Sequence, residues 1–175
     1  RMLEAAHRRH GRLPWAQLLQ PAIDLSERGF AITPRLHTLL AADAALRRDP
    51  LAAALYYGAD GQARPVGHVL QNPALAAVLR ALARQGGDAL HQGPVAADIV
   101  ARVRGHAGNP GRLSLADLAA YRPLPRDALC ADWTPRWRIC GMPPPSSGQL
   151  ALVQMLKLAD LAGASARPLD AAGVP

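Results

Sequence analysis

Ser146 and Ser147 stand side by side in the run Pro143, Pro144, Pro145, Ser146, Ser147, Gly148, Gln149. A nucleophilic serine needs a base within hydrogen-bond reach and donors for the oxyanion. The surrounding residues lack the Gly-x-Ser-x-Gly elbow that exposes such a serine. A helix N-cap accounts for Ser146, and Ser147 then fits the first turn. The six histidines are His7, His10, His37, His68, His91 and His106. Only His7 and His10 share a local spacing, three apart, that puts two rings on one helix face. No nearby cysteine, aspartate or third histidine completes a metal site, so an exposed, arginine-rich helix end is the simpler account. Gly86 and Gly87 lack the spacing and the lysine of a phosphate-binding loop. Nothing in the sequence points to a cofactor.

Trp133 and Trp137 flank Arg136 and Arg138, a grouping that can stack bases or cover a core edge as a cross-strand pair. Cys130 and Cys140 lack the close pairing of a zinc site. If Trp133 pairs with Trp137 across a three-residue loop, Cys130 and Cys140 fall opposite one another, near disulfide distance. A slip of one residue removes that pairing. The alternative is two small buried hydrophobes.

The elements that would hold these residues are mostly helical. Ala and Leu dominate a chain of 175 residues that is 50% hydrophobic, and both favour helix. A short helix is expected over residues 2–9, ended by Gly11. A second starts at Pro14 with an apolar face of Trp15, Leu18, Leu19, Ala22 and Ile23. Pro21 should kink it or split it at Gln20. Thr33 and Pro34 open a helix that runs to about Arg48, where Asp49-Pro50 stops it. Residues 50–71, with Asp60-Gly61, read as a loop with short extended pieces. Asn72-Pro73 starts a helix with Leu75, Val78, Leu79 and Leu82 on one face, ending at Gly86-Gly87. Gly93-Pro94 starts another, ending near Gly105. Residues 108–111 form a turn. Ser114 and Asp117 resemble a capping box for a short helix through Tyr121.

Residues 1–121 therefore read as a helical region, and residues 126–141 as a β-hairpin. The three prolines that follow are stiff and extended. Residues 146–163 read as a helix. Its stretch 150–161 is apolar nearly all round, interrupted by Gln154, Lys157 and Asp160, so it should be buried on most sides. A helix of that kind needs neighbours the chain does not fully supply, and residues 1–175 read as one partial domain of a larger fold. The tail after Gly163 has no clear pattern.

The formal charge is 20 basic minus 13 acidic residues, or +7. Lys157 is the single lysine, and the arginines are scattered from Arg1 to Arg167 rather than forming a stripe. That distribution fits compositional bias better than a phosphate-binding surface. No apolar run is long enough to span a bilayer. No apolar block follows the opening Arg1-Met2-Leu3-Glu4, so an export signal, if the protein has one, lies outside this sequence.

Taken together in order, several segments resemble the γ-glutamyltransferase (γ-glutamyltranspeptidase, glutathione hydrolase) family. They are Leu13-Pro14-Trp15-Ala16-Gln17-Leu18, then Gln20-Pro21-Ala22-Ile23-Asp24-Leu25 with Arg28-Gly29-Phe30, and Leu70-Gln71-Asn72-Pro73-Ala74-Leu75-Ala76. Gly93-Pro94-Val95-Ala96, Leu113-Ser114-Leu115-Ala116-Asp117-Leu118-Ala119-Ala120-Tyr121 and the proline-serine-glycine run 142–148 complete the set. Three places depart from the family pattern: Gln149 replaces a second glycine, His91-Gln92 replaces an aromatic pair, and Asn109-Pro110 is inserted near a usual Gly-Gly.

The resemblance implies an internal piece of the large subunit of an N-terminal-nucleophile hydrolase with an αββα sandwich. Its precursor cleaves itself and exposes a threonine that attacks a γ-glutamyl amide such as glutathione, its own α-amine serving as base. The acyl group passes to water or an amino acid. The nucleophile is expected beyond Pro175, in the small subunit that would be this chain's partner, and the carboxylate-binding arginine before Arg1. Residues Pro143, Pro144, Pro145, Ser146, Ser147 and Gly148 are then structural, no catalytic residue falls within the chain, and the segment alone is expected to be inactive. The resemblance further implies a periplasmic or secreted protein, where a Cys130–Cys140 disulfide is permitted. A helical nucleic-acid-binding module, which the +7 charge alone favours, and an inert helical scaffold are the rival readings.

Overall fold

Capping side chains and prolines mark most helix starts in the computed structural model, which describes residues 1–163. The described chain forms two compact units, the first spanning Arg1–Pro123 and the second beginning at Leu124.

The first unit carries α1 (Met2–His10), α2 (Trp15–Arg28), β1 (Phe30–Ala31), α3 (Pro34–Ala42), α4 (Ala44–Arg48) and α5 (Pro50–Tyr56). It continues with β2 (Val69–Leu70), α6 (Pro73–Gln85), a 3₁₀ turn over Gly86–Leu90, α7 (Gly93–Arg104) and α8 (Leu115–Ala120). Helix α2 packs along α6, burying Ile23 and Ala76, and the Trp15 indole donates to Leu82 O at 2.8 Å. This packing explains a departure from expectation. Helix α2 runs unbroken through Pro21, because one missing backbone bond weighs less than a packed apolar face. Strands β1 and β2 pair antiparallel, Phe30 with Leu70 and Ala31 with Val69. Gly29 enters this pair at φ 84°, where a Cβ would lie 2.6 Å from the Val69 side chain and 2.8 Å from Leu70 O. Only glycine fits there.

The expected helix to Arg48 is instead two helices. Asp43 accepts from the backbone N–H groups of Ala45 and Leu46, so its carboxylate caps α4 and interrupts α3. The Tyr57 hydroxyl, buried in the core, donates to Leu40 O at 2.8 Å and lies 3.1 Å from Asp43 O, so it sits against the backbone where α3 gives way to α4. Residues 50–71 are also less irregular than expected. Asp49 caps α5 with Pro50 in its first turn, so the pair that stops one helix starts the next. The core of this part is Ile32, Leu40, Tyr57, Ala63 and Leu70.

Three carboxylates in this unit titrate below their ordinary range. Asp49 does so chiefly through the Ala52 N–H, aided by Arg102. Asp88 is held down by its bond from Arg1, and Asp117 by the Ser114 hydroxyl of a complete capping box. Arg1 also donates to the carbonyls of Ala119 and Tyr121 at the end of α8, at 2.9 and 2.6 Å.

The second unit consists of β3 (Leu129–Thr134), β4 (Trp137–Gly141) and α9 (Gly148–Leu161). The fold class is thus mainly α with one hairpin in the C-terminal third. Among the described residues, no helix is long and apolar enough to cross a membrane.

Candidate functional site

Of the residues singled out for chemistry, the two serines, the two cysteines, Trp133 and Trp137 lie in the second unit, where the hairpin, the proline turn and the start of α9 meet. Strands β3 and β4 pair antiparallel in the register Leu129–Gly141, Cys130–Cys140, Ala131–Ile139 and Asp132–Arg138. The register then shifts, and Thr134 rather than Trp133 pairs with Trp137. The expected pairing of the two tryptophans is therefore replaced by a bulge at Trp133, which leaves only Pro135 and Arg136 in the connection. The Trp133 indole donates instead to Asp160 of α9, at 3.3 Å, and Lys157 donates to Asp132 O at 2.8 Å. Cys130 and Cys140 are joined, sulfur to sulfur, across the strands.

Beyond Gly141 the prolines do not run straight as expected. The Pro144–Pro145 bond is cis, the chain turns at these two residues, and Ser146 N–H donates back to Pro143 O at 3.2 Å. Helix α9 begins only at Gly148, one residue later than expected, so its N-cap is Ser147 and not Ser146. The Ser147 side chain makes no capping bond. Both serines are exposed, and neither hydroxyl is hydrogen-bonded among the described residues. Among the described residues no base is seated on either hydroxyl, as activation of a serine would require.

The residue that organises this corner is Gln149, which is 7% exposed. Its side-chain amide donates to Ile139 O of β4 at 3.1 Å. It fills the space beside Gly141, where an added Cβ would lie 2.5 Å from Gln149 Oε1. Gln149 thus pins the N-terminal turn of α9 to the hairpin. The sequence signal was present in the replacement of a glycine, but its meaning depended on Gly141 being adjacent in space.

Helix α9 is shorter and less covered than expected. It spans Gly148–Leu161, and Leu150, Met155, Leu158 and Leu161 are exposed, Leu161 at 85%. Within the described part of this unit only the hairpin packs against α9, and two strands cover one side of a helix.

The histidines do not converge. The His7 ring bonds Leu13 O at 2.7 Å and meets Trp15 edge-on, while His10 is exposed. His91 stacks on Tyr121 with ring centres 5.3 Å apart and bonds Leu118 O. The inserted Asn109 donates its N–H to the His106 ring at 3.0 Å within a surface turn. No group of three metal-binding side chains occurs among the described residues.

The family model described as Gamma-glutamyltranspeptidase matches residues 1–172. The Acylase ACY 1 proenzyme of Pseudomonas sp. (strain V22) is 40% identical over 152 residues, 86% of this chain and 26% of that protein. Glutathione hydrolase 3 of Arabidopsis thaliana is 33% identical over 159 residues, 90% of this chain and 24% of that protein. The crystal structure of Helicobacter pylori gamma-glutamyltranspeptidase superposes with a TM-score of 0.76 at 28% identity, over 87% of this chain and 43% of that one. The chain spans about a quarter of the length of these curated relatives.

Proposed function

Because the chain belongs to the gamma-glutamyltranspeptidase family, we propose that it is an internal part of the large subunit of an enzyme that transfers γ-glutamyl groups to water or amino acids. The family match over residues 1–172 carries this reading. The attacking group is a threonine outside these residues, freed by self-cleavage of a precursor, with its own α-amine as base. The relatives' designation as proenzymes supports a processed partner subunit. Residues 1–175 form a partial domain that the rest of the subunit completes, and the exposed leucines of α9 are where it would be covered. The substrate is glutathione or a related γ-glutamyl amide, and the setting is periplasmic or secreted. Within the segment Pro143, Pro144, Pro145, Ser146, Ser147 and Gly148 shape the turn that launches α9 and take no part in bond making.

The test uses the complete polypeptide. It should separate into two chains on maturation and hydrolyse a γ-glutamyl anilide. Replacing Ser146 and Ser147 by alanine should change kcat by less than about tenfold, since a lost nucleophile costs on the order of a millionfold. Residues 1–175 alone should give no turnover. Hydrolysis by the isolated segment, or a millionfold loss in the double serine variant, would overturn the assignment.

A second reading has one observation in its favour. Identity to the Acylase ACY 1 proenzyme, at 40%, exceeds the 33% identity to glutathione hydrolase 3. The same acyl transfer would then act on an N-acyl amide other than a γ-glutamyl one. Comparing kcat/KM for the two amide classes separates these readings.

A further inference from the structure

We propose that Cys140 is a thiol-exchange site, at which a small thiol displaces Cys130, remains attached to Cys140, and frees the register of the hairpin. The argument begins with the two faces of the β3–β4 pair. Ala131, Trp133 and Ile139 line the side shared with Val153 and Leu156 of α9. Side chains alternate along a strand, so Cys130, Arg138 and Cys140, none of which lines that space, project from the opposite side, away from the helix. The disulfide therefore lies on the face of the hairpin that α9 does not cover.

The two cysteines are unequally exposed as residues. Cys140 is exposed, whereas Cys130 is half-buried. Exchange proceeds by attack of a thiolate on one disulfide sulfur and depends on access to it. Arg138 lies two residues from Cys140 on the same face, its guanidinium 3.9 Å from the Asp132 carboxylate and 70% exposed. In the exchange the incoming thiolate forms a bond to Cys140 Sγ, the Cys130–Cys140 bond breaks, and Cys130 leaves as a thiolate that takes a proton from water. One disulfide is exchanged for another, so no external oxidant or reductant is needed.

The structural consequence follows from the bulge. With the cross-link cut, five pairs interrupted at Trp133 hold the register, and a two-stranded hairpin is marginal by itself. A slip of one residue would reverse both faces and pull Ile139 O from Gln149. The identity of the thiol rests on the proposed function: a γ-glutamyl thiol such as glutathione would be both substrate and exchange partner.

The experiment treats the complete oxidised protein with limiting glutathione and, separately, with 2-mercaptoethanol, which has no γ-glutamyl group. Acid quenching and peptide mapping locate the adduct. The expected result is one thiol on Cys140, Cys130 open to alkylation without denaturant, and hydrogen exchange over residues 129–141 faster by on the order of a hundredfold. In parallel, C130S should react with oxidised glutathione at least about tenfold faster than C140S. An intact disulfide after equilibration, an adduct on Cys130, or equal rates for the two single variants would overturn the proposal. Failure of the functional reading shows separately, as absent γ-glutamyl hydrolysis with exchange by 2-mercaptoethanol unchanged.

Discussion

Gly141→Ala tests the corner where the hairpin meets α9. A Cβ at this position would lie 2.5 Å from Gln149 Oε1, 2.9 Å from its Cδ and 3.0 Å from its Cβ. The first two atoms could swing away, but only by giving up the 3.1 Å bond to Ile139 O. That bond is worth about 1 kcal/mol net, and forcing an extra methyl into a packed site costs about 1–3 kcal/mol. The variant should therefore lose about 2 kcal/mol locally. Gln149→Ala alone should lose about 1 kcal/mol, from the bond and a small void. The double variant should lose less than the sum of the two, because the clash disappears with the amide. The expected coupling is about 1–2 kcal/mol. Hydrogen exchange of peptides over residues 137–152 in the complete protein reads this directly, with about thirtyfold faster exchange expected for Gly141→Ala. Additive losses, or parent-like exchange in Gly141→Ala, would refute the reasoning.

Replacing both Cys130 and Cys140 by serine removes a cross-link that closes a separation of 10 residues. The chain-entropy relation puts that at about 3 kcal/mol, to be read as a lower urea midpoint for the hairpin and cleavage after Arg136 by trypsin. Tyr57→Phe keeps the ring under Arg47 but removes the donor to Leu40 O and Asp43 O. A loss of about 1–2 kcal/mol is expected, visible in thermal unfolding, and an unchanged midpoint would argue against the tie between α5 and the α3–α4 break. Asp49, Asp88 and Asp117 titrate lower in the folded chain than in the unfolded one. Their stabilisation is complete above the unfolded carboxylate range, near pH 4, and fades as pH falls through the depressed folded values. The urea midpoint of the Arg1–Pro123 unit should therefore drop below about pH 4 and stay flat in this respect above about pH 5.

Local rules reached some features of the molecule and not others. Thr33, Asn72 and Ser114 were legible as caps because a capping bond spans three residues and needs no distant partner. The amphipathic face of α6 was legible for the same reason. Asp49-Pro50 was legible as a helix stop, but the break at Asp43 and the new helix after Asp49 were not, because each aspartate closes one helix while starting another and propensity alone does not choose between continuing and restarting. The cysteine register was reached from a tryptophan pairing that does not exist. The bulge at Trp133 absorbs one residue, so the pairs behind it keep their partners.

The proline-serine-glycine run shows the division most clearly. By itself the sequence determined that the run belongs to this family's pattern and that an apolar helix follows it. Only the tertiary structure decided that the prolines turn, that Ser147 rather than Ser146 precedes the helix, and that Gln149 locks against Gly141. The physical reason is range. A helix former or a cap acts within one turn of chain, whereas the fit of Gln149 depends on a strand eight residues away in sequence. The burial of α9 depends in turn on which neighbours are present to cover it.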